Sequence, residues 1–198
     1  MRIIGGRWGG RRLPSLRAKG VRPTSDRVRE AVMSALEARG LIRGARVLDL
    51  YAGTGAMGLE ALSREAAHAT FVDQNPTLLK HIASYAETLQ APPPMSVTIA
   101  ADLSRRPERA AAALSSQCEI GGTFSLLFVD PPYADIAYVA NLLAALRERE
   151  VFGVGATIVI EHAHGAPPPP LEGLATVNHY RYGDTGVALL EAAPLETS

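Results

Sequence analysis

The chain has 198 residues, 47% of them hydrophobic and 20% charged, which suits a globular domain with a sizeable core. Its single cysteine, Cys118, excludes a disulfide framework and any metal site built from cysteines. No apolar run is long enough for a membrane helix and no signal-peptide core follows Met1, so we expect a cytoplasmic protein with no membrane or metal partner.

Positive charge is concentrated at the start of the chain, although the formal net charge of the whole is 0. Residues 1–30 carry nine basic side chains against two acidic ones, which gives +7 there and −7 over the remainder. Because eighteen of the twenty basic residues are arginine, contacts with nucleic-acid phosphates are favoured over a solvated basic tail. We predict a basic arm over residues 1–22 and a catalytic domain over residues 23–198. The candidate contacts are Arg2, Arg7, Arg11, Arg12, Arg22 and Arg27, with an ion pair to Asp26 or Glu30 as the alternative for the last two.

The first predicted elements are a hairpin and a helix. Residues 2–4 and 11–13 flank a glycine-rich tip, residues 5–10, which is typical of a short hairpin. Trp8, the only tryptophan, lies among arginines there and could either stack on a base or cover the edge of the core. Thr24 or Ser25 is then a candidate N-cap for a helix that runs to Gly40.

From residue 46 onward, strands and helices alternate, which predicts a mostly parallel, doubly wound α/β sheet. The predicted strands are residues 47–50, 69–72, 96–100, 124–129 and 157–160, and the predicted helices are residues 57–64, 77–89, 106–116 and 136–148. The ending differs, because residues 175–181 and 186–190 flank a turn at 182–184 and predict a hairpin. At least one of the seven strands should therefore be antiparallel.

The loop after the first predicted strand has the pattern of a nucleotide-binding turn. Its G-x-G-x-x-G pattern spans residues 53–58, and Asp73 ends the second strand, where an acid can bind a ribose. A nicotinamide enzyme fits this pattern as well. Asp49 discriminates, because a carboxylate at the end of the first strand would repel a pyrophosphate placed against the helix N-terminus. It favours S-adenosylmethionine, which carries an ammonium and a sulfonium and no phosphate.

Acidic residues end the first four predicted strands, and we expect them at one edge of the sheet. Asp73 can accept from the ribose hydroxyls, and Asp102 from the adenine amine, with the Leu103 backbone as a donor nearby. Any one of these acids alone would more often cap a helix or make a turn. The candidate cofactor-binding residues are Asp49, Ala52, Gly53, Thr54, Gly55, Asp73, Gln74, Asp102 and Leu103.

The segment Asp130-Pro131-Pro132-Tyr133 follows the apolar run of the fourth predicted strand. Two prolines make the segment stiff and leave its carbonyls free to accept hydrogen bonds. Asp130 and the Pro131 carbonyl could accept from an amino group, while Tyr133 offers a flat face to the ring that carries it. An ordinary turn at the end of a strand is the alternative.

These motifs resemble those of the class I S-adenosylmethionine-dependent methyltransferases that modify exocyclic amines. More narrowly, nearly the whole chain resembles the bacterial 16S ribosomal RNA guanine-N2 methyltransferase family. The resemblance rests on residues 2–6, 22–30, 47–55, 58–64, 129–133, 161–162 and 181–185. One departure is Gln74, where the family more often has a basic residue after the acid.

The resemblance implies methyl transfer to the N2 amine of one guanine in 16S rRNA, within an assembling or assembled small ribosomal subunit. It implies catalytic roles for Asp130, Pro131 and Tyr133, and S-adenosyl-L-methionine as the cofactor. Three alternatives stay open: a DNA adenine-N6 methyltransferase, a nicotinamide-dependent oxidoreductase, and a non-catalytic RNA-binding protein with a methyltransferase fold.

Overall fold

The computed structural model describes residues 2–12 and 26–194. The helices in this part of the chain are α1 (Asp26–Ala38), α2 (Ala56–Ser63), α3 (Pro76–Thr88), α4 (Pro107–Gly121) and α5 (Val139–Glu148). The strands are β1 (Arg46–Leu50), β2 (His68–Asp73), β3 (Ser96–Ala100), β4 (Phe124–Val129), β5 (Phe152–Ala163), β6 (Leu174–Tyr182) and β7 (Thr185–Ala192). They form a seven-stranded, mostly parallel mixed sheet, which confirms the predicted fold class.

The chain divides into two compact units, and the first is Met1–Ala100. Its strands lie in the order β3-β2-β1, and all of them are parallel. All six residues of β2 are buried, as expected for a central parallel strand covered on both faces. The carboxyl ends of β1 and β2 therefore lie side by side, with Asp49 paired to Phe71 and Leu50 to Val72.

The second unit is Ala101–Ser198, with strand order β4-β5-β7-β6. Strands β4 and β5 are parallel, whereas β7 runs antiparallel to both of its neighbours. The predicted C-terminal hairpin is thus confirmed, and its turn contains Gly183 at φ +63°. No helix in the described ranges is both long enough and apolar enough to cross a membrane.

Most predicted boundaries differ from the observed ones by a residue or two, and the larger differences fall in β5, α4 and α5. Strand β5 begins at Phe152 instead of 157, because the β4–β5 register shifts between Phe124 and Leu126 and residues 153–156 bulge outward. Helix α4 continues past the predicted end at residue 116 to Gly121, and it stops there because Gly122 has a non-helical φ of +83°. Helix α5 begins at Val139, because a 3-10 helix occupies the preceding turns.

Candidate functional site

The glycine loop of the first unit joins β1 to α2, and its glycines have backbone conformations or close contacts that a side chain would disfavour. Gly53 has φ +54° and Gly55 has φ +74°. A Cβ atom on Gly55 would also lie 2.9 Å from Ile82 Cγ1 of α3. A Cβ atom on Gly58 would overlap the Phe71 ring of β2. The loop therefore brings α2 close against the sheet, as nucleotide-binding loops require.

Asp49 occupies the position in this loop where a phosphate would otherwise bind. Its side chain is buried, and Asp49 Oδ2 accepts a 2.9 Å hydrogen bond from the Gly58 N–H in the first turn of α2. First-turn N–H groups and the helix dipole are what bind phosphate at helix N-termini. A pyrophosphate at this point would therefore meet a carboxylate and an N–H group that is already bonded. This contact strengthens the argument against a dinucleotide.

Asp73 holds the glycine loop in place from the end of β2. Its Oδ2 accepts from the Gly53 N–H at 2.9 Å and its Oδ1 from the Asn75 N–H at 2.8 Å. Each carboxylate oxygen can accept more than one hydrogen bond, so Asp73 keeps acceptor capacity for ribose hydroxyls. Gln74 is exposed, and Asn75 caps α3 by accepting from the Thr77 N–H.

Tyr51 is a feature of the loop that sequence reasoning missed. It has φ +57°, a left-handed conformation that costs a residue with a side chain on the order of 1–2 kcal/mol. The other described non-glycine residues with positive φ are Glu65, Gln90 and Glu150, and each lies just past a helix end, where this conformation is ordinary. Tyr51 lies instead between a strand and the glycine loop, where backbone strain often accompanies function.

At the start of the second unit, Asp102 shapes its own loop. Asp102 Oδ1 accepts from the N–H groups of Ser104 and Arg105 at 3.2 and 3.0 Å, the pattern of an Asx turn. Leu103 is buried. Ser104 Oγ donates to Asp135 Oδ2 at 2.8 Å and so ties this loop to the 3-10 helix Tyr133–Tyr138. Neither Ser104 nor Asp135 was predicted, because such contacts between loops have no sequence period.

The segment after β4 is a stiff corner rather than a closed turn. Pro131 is buried, while Pro132 is exposed with extended backbone, φ −50° and ψ 138°. The Pro132 carbonyl accepts from the Asp135 N–H at 2.7 Å as the 3-10 helix begins at Tyr133. Asp130 is half-buried and level with Glu161, because Val129 pairs with Ile160. The Tyr133 side chain lies outside the described part of the structure.

The described part of the basic arm is a small hairpin-like loop. Arg2 and Arg12 form an antiparallel bridge, and the Ile3 N–H donates to the Arg11 carbonyl at 3.0 Å. A 3-10 helix, Gly6–Trp8, forms the tip. Ile3 is fully buried and Trp8 is only 6% exposed. Trp8 therefore covers the core, and the alternative in which its ring stacks on a base is wrong.

A buried acid in α2 anchors the arm. Glu60 is completely buried and accepts from the N–H groups of Ile4 at 2.9 Å and Gly5 at 2.7 Å. Ser63 Oγ accepts from the Trp8 N–H at 3.0 Å and donates to the Gly5 carbonyl at 2.6 Å. Both anchoring residues lie in a segment that carried the family resemblance, but sequence reasoning gave them no role. The signal available in the sequence was a single glutamate within an otherwise apolar predicted helix, which indicates a buried acid that needs partners.

The predicted RNA-contacting arginines differ in their surroundings. The Arg7 guanidinium lies 4.3 Å from the Trp8 ring centre, and Arg7 Nη2 lies 3.4 Å from Met95 Sδ. Arg2, Arg11, Arg12 and Arg27 are exposed, and Arg22 lies outside the described residues. Asp26 pairs at 2.9 Å with the buried Arg29, not with Arg27.

This fold, with a glycine loop after β1 and an antiparallel β7, defines a Rossmann-like methyltransferase. The chain belongs to the family described as conserved hypothetical protein 95, whose model matches residues 1–191. This membership confirms the family resemblance seen in the sequence.

Individual relatives agree with this assignment. The chain is 33% identical over 190 residues to Bacillus subtilis YlbH, provisionally named an rRNA methyltransferase, covering 96% of this chain and 97% of that protein. It is 38% identical to ribosomal RNA small subunit methyltransferase D of Escherichia coli over 133 residues, which is 67% of this chain and 60% of that protein.

Solved structures share the fold. The Escherichia coli protein yhhF, provisionally described as a methyltransferase, matches with TM-score 0.77 and 30% identity over 98% of both chains. More distant chains, below 25% identity and informative about the fold alone, include methyltransferases solved with S-adenosylhomocysteine.

Proposed function

We propose that this protein transfers a methyl group from S-adenosyl-L-methionine to the N2 amine of a guanine in 16S ribosomal RNA. The observation that carries the proposal is the corner at Asp130, where a carboxylate and rigid proline backbone follow a buried strand. The relatives named as rRNA methyltransferases support methyl transfer, and the one named for the small subunit supports the substrate. The choice of guanine N2 rests on the resemblance of the motifs.

The glycine loop would hold the cofactor. Asp49 supplies negative charge near the methionine part, and the backbone of residues 52–55 passes close to it because the glycines allow the approach. Asp73 would accept from the ribose hydroxyls. Asp102 has a second carboxylate oxygen beyond the one in its Asx turn, and it would accept from the adenine amine beside the Leu103 backbone. When bound, S-adenosylmethionine supplies the methyl group and a thioether leaving group.

The Asp130 corner would activate the acceptor. The lone pair on guanine N2 is delocalised into the ring, so this amine is a poor nucleophile. Hydrogen bonds from the amine to the Asp130 carboxylate and the Pro131 carbonyl stabilise the positive charge that develops as the N–C bond forms and the C–S bond breaks. The extra proton on nitrogen leaves through Asp130 to solvent. Tyr133 would stack on the guanine once it has left its own base stack.

The exposed arginines of the arm, Arg2, Arg11 and Arg12, together with Arg7 and Arg27, would contact the RNA backbone, and Arg22 remains a candidate. Contacts with phosphates position the RNA, whereas the shape of an RNA loop and its splayed bases supply specificity. A ribosomal substrate would place the protein in the cytoplasm.

The test is methyl transfer to 16S rRNA, in small subunits from a strain that lacks this chain, with mass-spectrometric mapping of the product. We expect one new N2-methylguanine with the wild-type protein and none with Asp130→Ala, which should still bind S-adenosylmethionine. Glu119→Ala, an exposed acid of α4, is the matched control. Full activity of Asp130→Ala would contradict the catalytic role. Methylation of duplex DNA adenine instead would contradict the substrate.

A further inference from the structure

The C-terminal hairpin holds a pair of tyrosines that the proposed chemistry does not use. Tyr180 and Tyr182 are alternate residues of β6, so their side chains lie on the same face of the sheet. Their rings are close to parallel, with centres 6.3 Å apart and planes at 19°. Both are half-buried, and Asn178 Nδ2 donates to the Tyr180 hydroxyl at 3.0 Å. The pair is therefore ordered and open on one side.

The strand registers place this pair on the face of the sheet that carries Asp130. Val129 pairs with Ile160, so Asp130 is level with Glu161. Glu161 pairs with Val187, and Val187 pairs with Tyr180. Residues in one such row point to the same side of a sheet. At about 4.8 Å per strand, Tyr180 lies three strands and roughly 14 Å from the Asp130 corner.

Charge distinguishes β6 from the rest of the second unit. Residues 101–198 contain six arginines and twelve acidic residues, which repels RNA on average. Strand β6 has no acidic residue, and its one arginine, Arg181, alternates with the two tyrosines and therefore lies on the other face of the sheet. Burial, and secondarily the neighbouring Tyr180, raises the pKa of Tyr182, so its hydroxyl stays neutral. Aromatic faces that carry no neighbouring negative charge on their own strand can stack unpaired bases.

We infer that Tyr180 and Tyr182 stack an unpaired base of the substrate RNA, a few nucleotides from the guanine held at Asp130. This inference rests on the proposed function and adds a second contact region for the RNA. The base arrives from an RNA loop whose bases are already splayed, because aromatic faces compete poorly with intact base stacking. The contact is tolerant of base identity, since every base has a flat face.

The test compares the double variant Tyr180→Leu/Tyr182→Leu with Tyr180→Phe/Tyr182→Phe. Leucine fills space without stacking, whereas phenylalanine keeps the ring. We expect the leucine variant to raise the KM for rRNA about 10- to 100-fold with unchanged affinity for S-adenosylmethionine, and the phenylalanine variant to stay within about twofold. Val177→Ala, an exposed apolar residue of the same strand, is the control.

Salt dependence separates this contact from the arm. Stacking releases no counterions, so the leucine variant should keep the wild-type slope of log affinity against log salt. Replacing Arg7, Arg11 and Arg12 with alanine should lower that slope by about 2. If the double variant does not fold, the single variant Tyr182→Leu serves, with an expected rise of about fivefold or more in KM.

Two results overturn the inference while leaving the proposed function intact. One is an active wild-type protein together with a leucine variant whose KM for rRNA is unchanged. The other is a changed oligomeric state of the leucine variant in sedimentation equilibrium with rRNA affinity preserved, since the face would then bind protein. A wild-type protein that methylates no rRNA would instead refute the proposed function, and this inference with it.

Discussion

Replacing Glu60 with glutamine tests how the basic arm is held. The two Glu60 oxygens accept three hydrogen bonds, from the Ile4 and Gly5 N–H groups and from Arg64 Nε at 3.2 Å. Glutamine has the same shape, but one oxygen becomes an NH2 group that faces a donor. The buried Arg29 Nε, which has no hydrogen-bond partner in the described structure, also loses the carboxylate 3.7 Å away.

The expected cost follows from these contacts. A hydrogen bond to a charged group contributes about 1.5–3 kcal/mol, and removing one partner of a buried ion pair costs about 3–5 kcal/mol. These two effects overlap, so Glu60→Gln should lower the free energy of unfolding by about 3–5 kcal/mol, a large part of the 5–15 kcal/mol typical of a domain. Most of this loss should fall on the docking of the arm.

Trp8 fluorescence reports on the arm alone, because Trp8 is the only tryptophan and its backbone N–H donates to Ser63 Oγ. Urea denaturation followed by circular dichroism gives the global stability, and acrylamide quenching in the absence of urea gives the exposure of Trp8. Glu60→Gln should raise quenching before the global transition. Glu37→Gln is the matched control, since Glu37 also pairs with Arg64 but has a half-exposed side chain and no hydrogen bond to the described residues of the arm. Wild-type quenching in Glu60→Gln would refute the anchoring role.

Two further predictions concern the loop and the hairpin. Gly58→Ala should destabilise the protein by about 1–3 kcal/mol, because the alanine Cβ would overlap the Phe71 ring. The same change should weaken the binding of S-adenosylmethionine measured by calorimetry. Gly153→Ala is the control and should change neither quantity, because the space around Gly153 is open. Burial lowers the pKa of His162, whose Nδ1 donates to the Ala163 carbonyl. The unfolded state then takes up the proton more readily, so the stability that His162 contributes should be present above about pH 6.5 and lost below it. His162→Gln should flatten that loss in chemical denaturation between pH 7 and 5, and an unchanged pH profile would contradict the assignment.

The sheet was largely predictable because its strands are apolar runs bounded by turn residues. Residues 96–100 and 124–129 were predicted with the observed boundaries. The start of β5 was missed because Gly153 and Gly155 carry no side-chain pattern, and only pairing with β4 extends the strand to Phe152. Local sequence signals a strand by its side chains, whereas a bulge is set by the partner strand.

The candidate site was predictable as a set of residues and much less as a set of bonds. Asp49 was singled out for its charge, yet its contact with the Gly58 N–H depends on how closely α2 approaches the sheet. Asp73 and Asp102 were assigned to the cofactor, and both also hold their own loops. The sequence shows that an acid ends a strand. How many hydrogen bonds its carboxylate already accepts from the protein depends on the tertiary fold.

Residues 58–63 of helix α2, which lie in a segment that carried the family resemblance, have no solvent-exposed face. Every residue from Gly58 to Ser63 is buried, because the helix packs on the sheet at one side and carries the arm at the other. Glycines allow both approaches: Gly58 leaves room for the Phe71 ring, and Gly6 of the arm leaves room for the Ser63 carbonyl. Glu60 is tolerated in this interior because the arm brings two N–H groups that need an acceptor and Arg64 donates a third hydrogen bond. The acid and the arm thus depend on each other, because the Glu60 carboxylate satisfies two N–H groups of the arm and those groups satisfy the buried carboxylate.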